Sequence, residues 1–309
     1  MLRIAIQGNL SEGTKFVELI RNTSDCILSG LCTELNSRLT DSDKLIDHPV
    51  PVFDNLEELF HVSDAIIFLN HRKSGISNVK QALKRSKHVF IQPESLLGIE
   101  LLNEYQNLAE EAGVLFYIFH NPIKADLEDL IRNSENYPEF IDISRNVYEI
   151  DEKIPDVRKL ILREILFLTS INQQAIKRFK TLSVPYNSLK PYLINLKIDF
   201  ANSSSANVTI NNFSGADSRN TEIYFRDKML HMNTLEKNIK VSNRNNKEVD
   251  CYPLHTLMND ESDPSSDIEH FIHKLKTFAY PANSFESGIY AYVNSWEILE
   301  KIVPAIMEK

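Results

Sequence analysis

The chain has 309 residues, a formal net charge of −9 and ordinary globular proportions, 42% hydrophobic and 25% charged. At roughly 150 residues per domain this length predicts about two domains, and the composition excludes a disordered chain, a collagen and a coiled coil. The acidic balance argues against a nucleic-acid binder, which needs clustered Lys and Arg to neutralise phosphates, but leaves room for a small anionic ligand in a local basic pocket.

From the N-terminus, Leu2 to Gln7 is a short apolar run closed by Gly8 and reads as a buried strand. Met1 to Ile6 is too short an apolar stretch for a signal peptide. Phe16, Val17, Leu19 and Ile20 follow at helical spacing, and Cys26 to Cys32 reads as a second strand. Leu56 to Phe60 reads as a short helix with Asp54 or Asn55 as its N-cap. Asp64 to Leu69 is a third strand, Val79, Ala82 and Leu83 mark a helix, and His88 to Ile91 is a fourth strand. Leu101 to Ala112 reads as a helix closed by Gly113, the residue type favoured just past a helix end, and Val114 to Phe119 is a fifth strand. Such alternation of strands and helices implies a parallel sheet with right-handed crossovers. The nearly continuous apolar strands predict that both of its faces are covered.

The pattern changes after His120. Leu127 to Ile131 is helical, Phe140 to Tyr148 reads as a strand, and Val157 to Phe179 reads as one long helix. Ile194 to Phe200, Ala206 to Phe213, Thr221 to Arg226 and Met229 to Met232 are strands without helices between them, which predicts an antiparallel sheet. Asp267 to Phe278 and Ser287 to Val303 read as two closing helices. Asn243 to Lys247 and Asn259 to Ser266 are polar and read as surface loops. The expected domains are therefore 1–120, α/β, and 121–309, α+β with a mostly antiparallel sheet. No apolar run approaches the roughly 20 residues needed to span a bilayer, so no membrane partner is expected. Cys26, Cys32 and Cys251 are odd in number and lack Cys-x-x-Cys spacing, which predicts reduced thiols in a cytoplasmic protein, without a disulfide framework or a metal site.

Several stretches in series carry a family resemblance. They are Ile4-Ala5-Ile6-Gln7-Gly8-Asn9-Leu10-Ser11-Glu12-Gly13, Asp64-Ala65-Ile66-Ile67-Phe68-Leu69-Asn70-His71, Ala82-Leu83-Lys84-Arg85-Ser86-Lys87-His88-Val89 and Leu108-Ala109-Glu110-Glu111-Ala112-Gly113-Val114. Leu130-Ile131-Arg132-Asn133, Pro138 to Arg145 and Asp267-Ile268-Glu269-His270-Phe271-Ile272 continue the series. In order and spacing this resembles the Gfo/Idh/MocA family of NAD(P)-dependent oxidoreductases over most of the chain. The resemblance implies a Rossmann-type N-terminal domain, a C-terminal α+β domain, NAD or NADP as cofactor and a small hydroxylated, sugar-like substrate. It places Gly8, Asn9, Leu10, Glu34, Asn70, His71 and Gln92 at the cofactor, and Lys159 and Arg163 at the substrate. In the family the second-domain sheet is often a packing surface, which implies a homodimer through that sheet.

The residues themselves depart from the family at the points that carry chemistry. A dinucleotide loop needs Gly-x-Gly-x-x-Gly; Gly8 and Gly13 keep the outer spacing, but Leu10 stands where a glycine lets the backbone approach the pyrophosphate. Glu12 adds negative charge near a helix N-terminus, which otherwise favours an anion. A tight strand-to-helix turn without a ligand explains the same residues. Glu34 follows Gly13 at the distance of the acid that binds ribose hydroxyls, although a Glu at a strand end is common. The family's Glu-Lys-Pro is replaced by Gln92-Pro93-Glu94 in one register, and Gln92 takes the lysine's place in the other. Glutamine donates a hydrogen bond but is no general acid or base near neutral pH. Lys159 and Arg163 stand where the family has an Asp/His pair, four apart and so on one helical face. They read either as a solvated basic face, with Arg158, or as a clamp for a carboxylate or phosphate.

Among nine histidines, His71 belongs at the strand ends that form a ligand crevice. His120 ends the fifth strand and is the candidate proton acceptor, since a neutral imidazole takes a proton near pH 7. His270 and His273 have no Asp, Glu or Cys in ligand spacing, so no zinc site is expected. No Gly-x-Ser-x-Gly elbow supports a hydrolase, and Asp260, Glu261 and Asp263 lack EF-hand spacing. Against the oxidoreductase stands one alternative: a catalytically silent relative that binds a small ligand or a partner.

Overall fold

A computed structural model of the chain describes residues 1–8, 10–32, 50–69, 73–91, 99–118, 127, 130–131, 137–148, 157–172, 174–185, 191–213, 215–244, 249–257, 265–277, 293–294, 296–298 and 301. The chain divides into two compact units, Met1–His120 with Ser262–Tyr290, and Asn121–Glu261 with Ala291–Lys309.

In the first unit, strands β1 (Leu2–Gln7), β2 (Cys26–Cys32), β3 (Val52–Phe53), β4 (Ala65–Phe68), β5 (His88–Ile91) and β6 (Phe116–Ile118) form one sheet in the order β3-β2-β1-β4-β5-β6. Every pairing in it is parallel. Helices α1 (Leu10–Asn22), α2 (Leu56–Val62), α3 (Lys73–Lys84) and α4 (Ile99–Ala112) alternate with the strands. The α2 start is set by Asn55, whose side-chain oxygen accepts from the backbone N–H of Glu57 at 2.6 Å and of Glu58 at 3.3 Å. This satisfies two of the amides that a helix start leaves without partners. Gly113 closes α4 at φ +63°, the left-handed turn a glycine adopts at low cost. The β3 strand is only two residues long, too short to leave a period in the sequence.

The central strands of this sheet are buried on both faces: β4 is buried at all four positions. One face packs Ile4, Ile6, Ile67 and Phe90 against Phe16, Val17 and Ile20 of α1. Helix Ser265–Thr277 (named α7 below) closes the same core through Ile268, Phe271 and Ile272. The first unit is therefore not one continuous stretch. Phe271 meets the Phe90 ring edge-on at 5.2 Å between centroids, a favoured aromatic geometry.

The second unit holds β7 (Phe140–Asn146), α5 (Val157–Asn172), β8 (Ile176–Val184), β9 (Leu193–Phe200), β10 (Ser205–Asn211), β11 (Ser218–Tyr224), β12 (Lys228–Asn233), β13 (Asn238–Asn243), β14 (Val249–Pro253) and the single turn α6 (Leu254–Leu257). Its eight strands lie in the order β14-β13-β12-β11-β7-β10-β9-β8. All neighbours are antiparallel except β7 and β10, which are parallel. The predicted mostly antiparallel sheet is thus present. Alternate residues are buried along β9 and β10, including Leu196, Ile198, Val208 and Ile210, so one face carries the core and the other is polar.

The single helix expected over Val157 to Phe179 is instead a helix ending at Asn172 and a strand beginning at Ile176. Asn172 is fully buried, donates to Ser204 Oγ at 2.8 Å and accepts from Asn202 Nδ2 at 3.2 Å. Its amide is committed to the β9–β10 turn. Beyond it Phe179, Thr181 and Ser183 pair with the buried Ile198, Leu196 and Ile194 at a period of two. β13 and β14 are further strands that apolar runs do not announce. Most of the expected helix Ser287 to Val303 lies outside the described residues, as does most of Leu127 to Ile131. No helix among the described residues is long and apolar enough to cross a membrane.

Candidate functional site

In an open parallel sheet, ligands bind outside the carboxyl ends of the strands where the strand order reverses. Here the chain runs outward from β1 to β2 and β3, then returns to lay β4 on the other side of β1. The reversal therefore lies between β1 and β4. Three strand ends are tied together there. The Gly8 N–H donates to the Cys32 carbonyl at 3.0 Å, and the Leu69 N–H donates to the Gln7 carbonyl at 2.8 Å.

Gly8 has φ +139°, and a Cβ built on it would lie 2.5 Å from the Leu69 carbonyl oxygen. No side chain fits that gap, and L-residues rarely adopt that φ. The glycine is required by the close approach of β1 to the end of β4. Two residues later α1 begins at Leu10, so its unpaired N-terminal amides stand at the carboxyl end of β1. Gln7 is buried at 5% exposure beside this turn.

Leu10 opens α1 and Gly13 lies within that helix. Asn9, Glu34, Asn70, His71, Gln92 and His120 lie outside the described residues. Phe68 and Ile91, the last residues of β4 and β5, are cross-strand partners, and Asn70 and Gln92 follow within two residues of them in the chain.

Lys159 and Arg163 both lie on α5. The Arg163 side chain is half-buried and is not without an interaction partner. Next to it, Glu164 is buried, at 1% side-chain exposure. One carboxylate oxygen accepts from Arg145 Nη1 at 2.9 Å and the other from Arg219 Nη2 at 2.7 Å. Arg145 and Arg219 are direct cross-strand partners on β7 and β11, and the Arg219 guanidinium lies 4.0 Å from the centroid of the Phe167 ring. The cluster carries two positive charges and one negative, and Arg219 Nε is buried without a hydrogen-bond partner. It fixes α5, and with it the 159/163 face, to the sheet.

These three residues were not singled out in the sequence, although two signals point to them. Glu164 interrupts an apolar run from Leu160 to Leu168, and a carboxylate on a buried helix face needs a cationic partner. Arg145 is in phase with the buried Ile141 and Ile143.

In the first unit the Tyr117 hydroxyl and His270 Nδ1 are 2.8 Å apart. Burial pushes the Tyr117 phenol well above its ordinary value, so it stays neutral. Cys26 and Cys32 are buried free thiols and Cys251 is an exposed one. Burial raises the pKa of both buried thiols. Among the described residues no group of His, Cys, Asp or Glu is arranged to hold a metal ion.

No protein-family profile and no curated protein sequence matches the chain. Solved structures do. The UDP-N-acetylglucosamine 3-dehydrogenase GnnA from Acidithiobacillus ferrooxidans superposes with a TM-score of 0.77 at 12% identity, covering 97% of each chain. The dehydrogenase MviM from Clostridium difficile gives 0.76 at 13% identity, covering 97% of this chain and 99% of its own. Biliverdin reductase from Synechocystis sp. PCC 6803, solved with biliverdin and NADP+, gives 0.69 at 14% identity, covering 98% and 99%. With its all-parallel sheet reversing at β1 and β4 and its second, mostly antiparallel sheet, the chain has the two-domain fold of the Gfo/Idh/MocA-type dehydrogenases.

Proposed function

We propose that this chain is an NAD(P)-dependent oxidoreductase acting on a small hydroxylated, sugar-like substrate. The observation that carries the reading is the order reversal at β1 and β4, with a glycine-only turn at Gly8 opening onto the start of α1. Turn and helix start fit the pyrophosphate of a dinucleotide. The residues that would hold the cofactor are Gly8, Asn9 and Leu10 at the turn, Glu34 at the ribose, and Asn70, His71 and Gln92 along the crevice. When bound, the nicotinamide supplies hydride transfer. Lys159 and Arg163 would hold an anionic or hydroxylated part of the substrate. His120 would take the hydroxyl proton that a lysine takes in the family. Leu10 and Glu12 predict that the dinucleotide binds weakly. We place the protein in the cytoplasm, as a homodimer through the second sheet.

A second reading, a catalytically silent ligand binder, rests on Gln92, which supplies no amine in either register. One experiment separates the two. Binding of NAD(H) and NADP(H) is measured by calorimetry, for the native chain and for Leu10→Gly. Sugars, polyols and hydroxy acids are then assayed for nicotinamide reduction. The oxidoreductase reading expects weak binding that tightens in Leu10→Gly, and turnover lost in His120→Ala. Binding without turnover selects the silent reading. No binding by either form overturns the cofactor assignment, and turnover unchanged in His120→Ala overturns the role of His120.

A further inference from the structure

The cluster under α5 leaves one buried donor unserved. Arg219 Nη2 donates to Glu164 Oε2 at 2.7 Å, while Arg219 Nε is buried without a hydrogen-bond partner. Nε and Nη2 are the parallel donors of one edge of a guanidinium, which takes both oxygens of a single carboxylate. Arg3 shows that edge filled in this same chain. Its Nε donates to Asp64 Oδ2 at 3.2 Å and its Nη2 to Asp64 Oδ1 at 2.6 Å. On Arg219 the edge is half filled, because the other Glu164 oxygen accepts from Arg145 Nη1 at 2.9 Å. A buried donor left so costs the desolvation of its N–H.

The two arginines differ in their surroundings. Arg219 is stacked on Phe167. Arg145 stands one residue before the end of β7 and is the more exposed of the two. α5 runs antiparallel to β7: Glu164 meets Arg145 near the end of that strand, and Asn172 meets Ser204, whose neighbour Ser205 pairs with Phe140 at its start. The first turn of α5 therefore extends past the carboxyl end of β7. That turn carries Arg158 and Lys159 and no acid, at the helix end where the dipole disfavours cations. Positive charge is thus gathered at one place in a chain of net charge −9.

We propose that Arg145 is the receptor of an anion subsite and that Glu164 is its switch. Without ligand, Glu164 bridges Arg145 and Arg219. A carboxylate or phosphate group of the substrate takes over Arg145, and the Glu164 oxygen released from Arg145 turns onto Arg219 Nε. Arg145 exchanges one anionic partner for another, and the orphaned Nε gains one, so that Arg219 is filled as Arg3 is. One added negative charge neutralises a cluster of two cations and one anion.

Glu164 stays bonded to β11 in both states, so α5 keeps its place on the sheet. The substrate class narrows from a hydroxylated compound to an acidic one, a sugar acid or a sugar phosphate. The inference rests on the oxidoreductase reading for the ligand's being a substrate, whereas anion binding itself needs no turnover.

The test is calorimetric titration of the full chain with gluconate, glucose 6-phosphate and glucose, with circular dichroism on every variant to confirm folding. At least one of the two acids is expected to bind about tenfold or more tightly than glucose, and which one does separates a carboxylate from a phosphate ligand. R145M should lose that preference. Should R145M misfold, R145K keeps the charge without the planar fork and should weaken it. R219K keeps its charge but offers no second donor for the released oxygen, and should weaken the bound acid about tenfold. The switch itself is read from the Arg219 Nε–H proton resonance, assigned by its loss in R219K, which should move downfield as the acid binds. A native chain that does not prefer either acid, or a preference that survives in R145M and R145K, overturns the subsite. An Nε–H resonance that stays in place while the acid binds overturns the switch. Acid binding without nicotinamide turnover leaves the subsite standing and overturns the oxidoreductase reading; turnover of neutral sugars without acid binding does the reverse.

Discussion

The two sheets bury themselves by different means. The first is covered on both faces, and its strands are almost wholly apolar. What is special in it is backbone: at Gly8, β1 and β4 approach so closely that a single Cβ has no room. The second sheet carries its core on one face and polar residues on the other, and beneath α5 it holds a buried carboxylate between two guanidiniums. Apolar packing specifies volume but not register. A charge cluster sets position more sharply, at the risk that losing one member strands the others in a low-dielectric interior. The first sheet thus places a turn where a ligand is expected, and the second fixes a helix by electrostatics.

The largest test of that contrast is Glu164→Ala. It leaves Arg145 and Arg219 buried against the sheet without their carboxylate, and the expected loss is about 3–5 kcal/mol in denaturant unfolding. A loss under about 1 kcal/mol would mean that α5 is held by its apolar contacts alone, like the helices of the first unit. Gly8→Ala comes next. Backbone strain alone is expected to cost about 1–3 kcal/mol, and the clash with the Leu69 carbonyl adds to it. An Ala variant as stable as the native chain would show that β1 and β4 part easily at the switch point.

The smallest effect sharpens the comparison through pH. His88 Nδ1 accepts the Leu115 N–H at 2.9 Å, an acceptor that only an unprotonated Nδ1 provides. Burial pushes the His88 pKa down, with Asp64 opposing. Because the folded-state value is lowered, the unfolded chain takes up the proton first. The contribution is complete above the unfolded value of about 6.5 and is lost as pH falls from there toward the lowered folded value. Unfolding measured between about pH 5 and 7 should lose stability toward acid in the native chain and less steeply in His88→Asn. Equal slopes would remove His88 from the pH dependence of the first unit.

Much of this architecture is legible in the residues. Unbroken apolar runs such as Ala65–Phe68 mark strands buried on both faces, and the alternation at Ile194–Phe200 marks a half-buried one. Gly113 and Asn55 mark helix ends through chemistry that is local to them. Where the sequence misleads, the deciding partner is remote. Ile176 and Phe179 continue the helical spacing of Ile165 and Leu168, and only the side-chain bonds of Asn172 to the turn at 202–204, with pairing to β9, make that stretch a strand. β13 alternates polar residues with the buried Ile239 and Val241, a period of two that rests on only two apolar positions and so marks the strand faintly.

The candidate site divides the same way. The sequence by itself determined the run of strands and helices, the glycine at position 8, the leucine at 10 and the missing lysine at 92, because residue identity and local spacing carry that chemistry. Tertiary structure alone decided that Gly8 is required by the Leu69 carbonyl, that Glu164 sits between two arginines, and that α7 closes the first core from the far end of the chain. Each of these depends on two segments far apart in sequence meeting in space, and a local pattern holds no record of the segment it will meet.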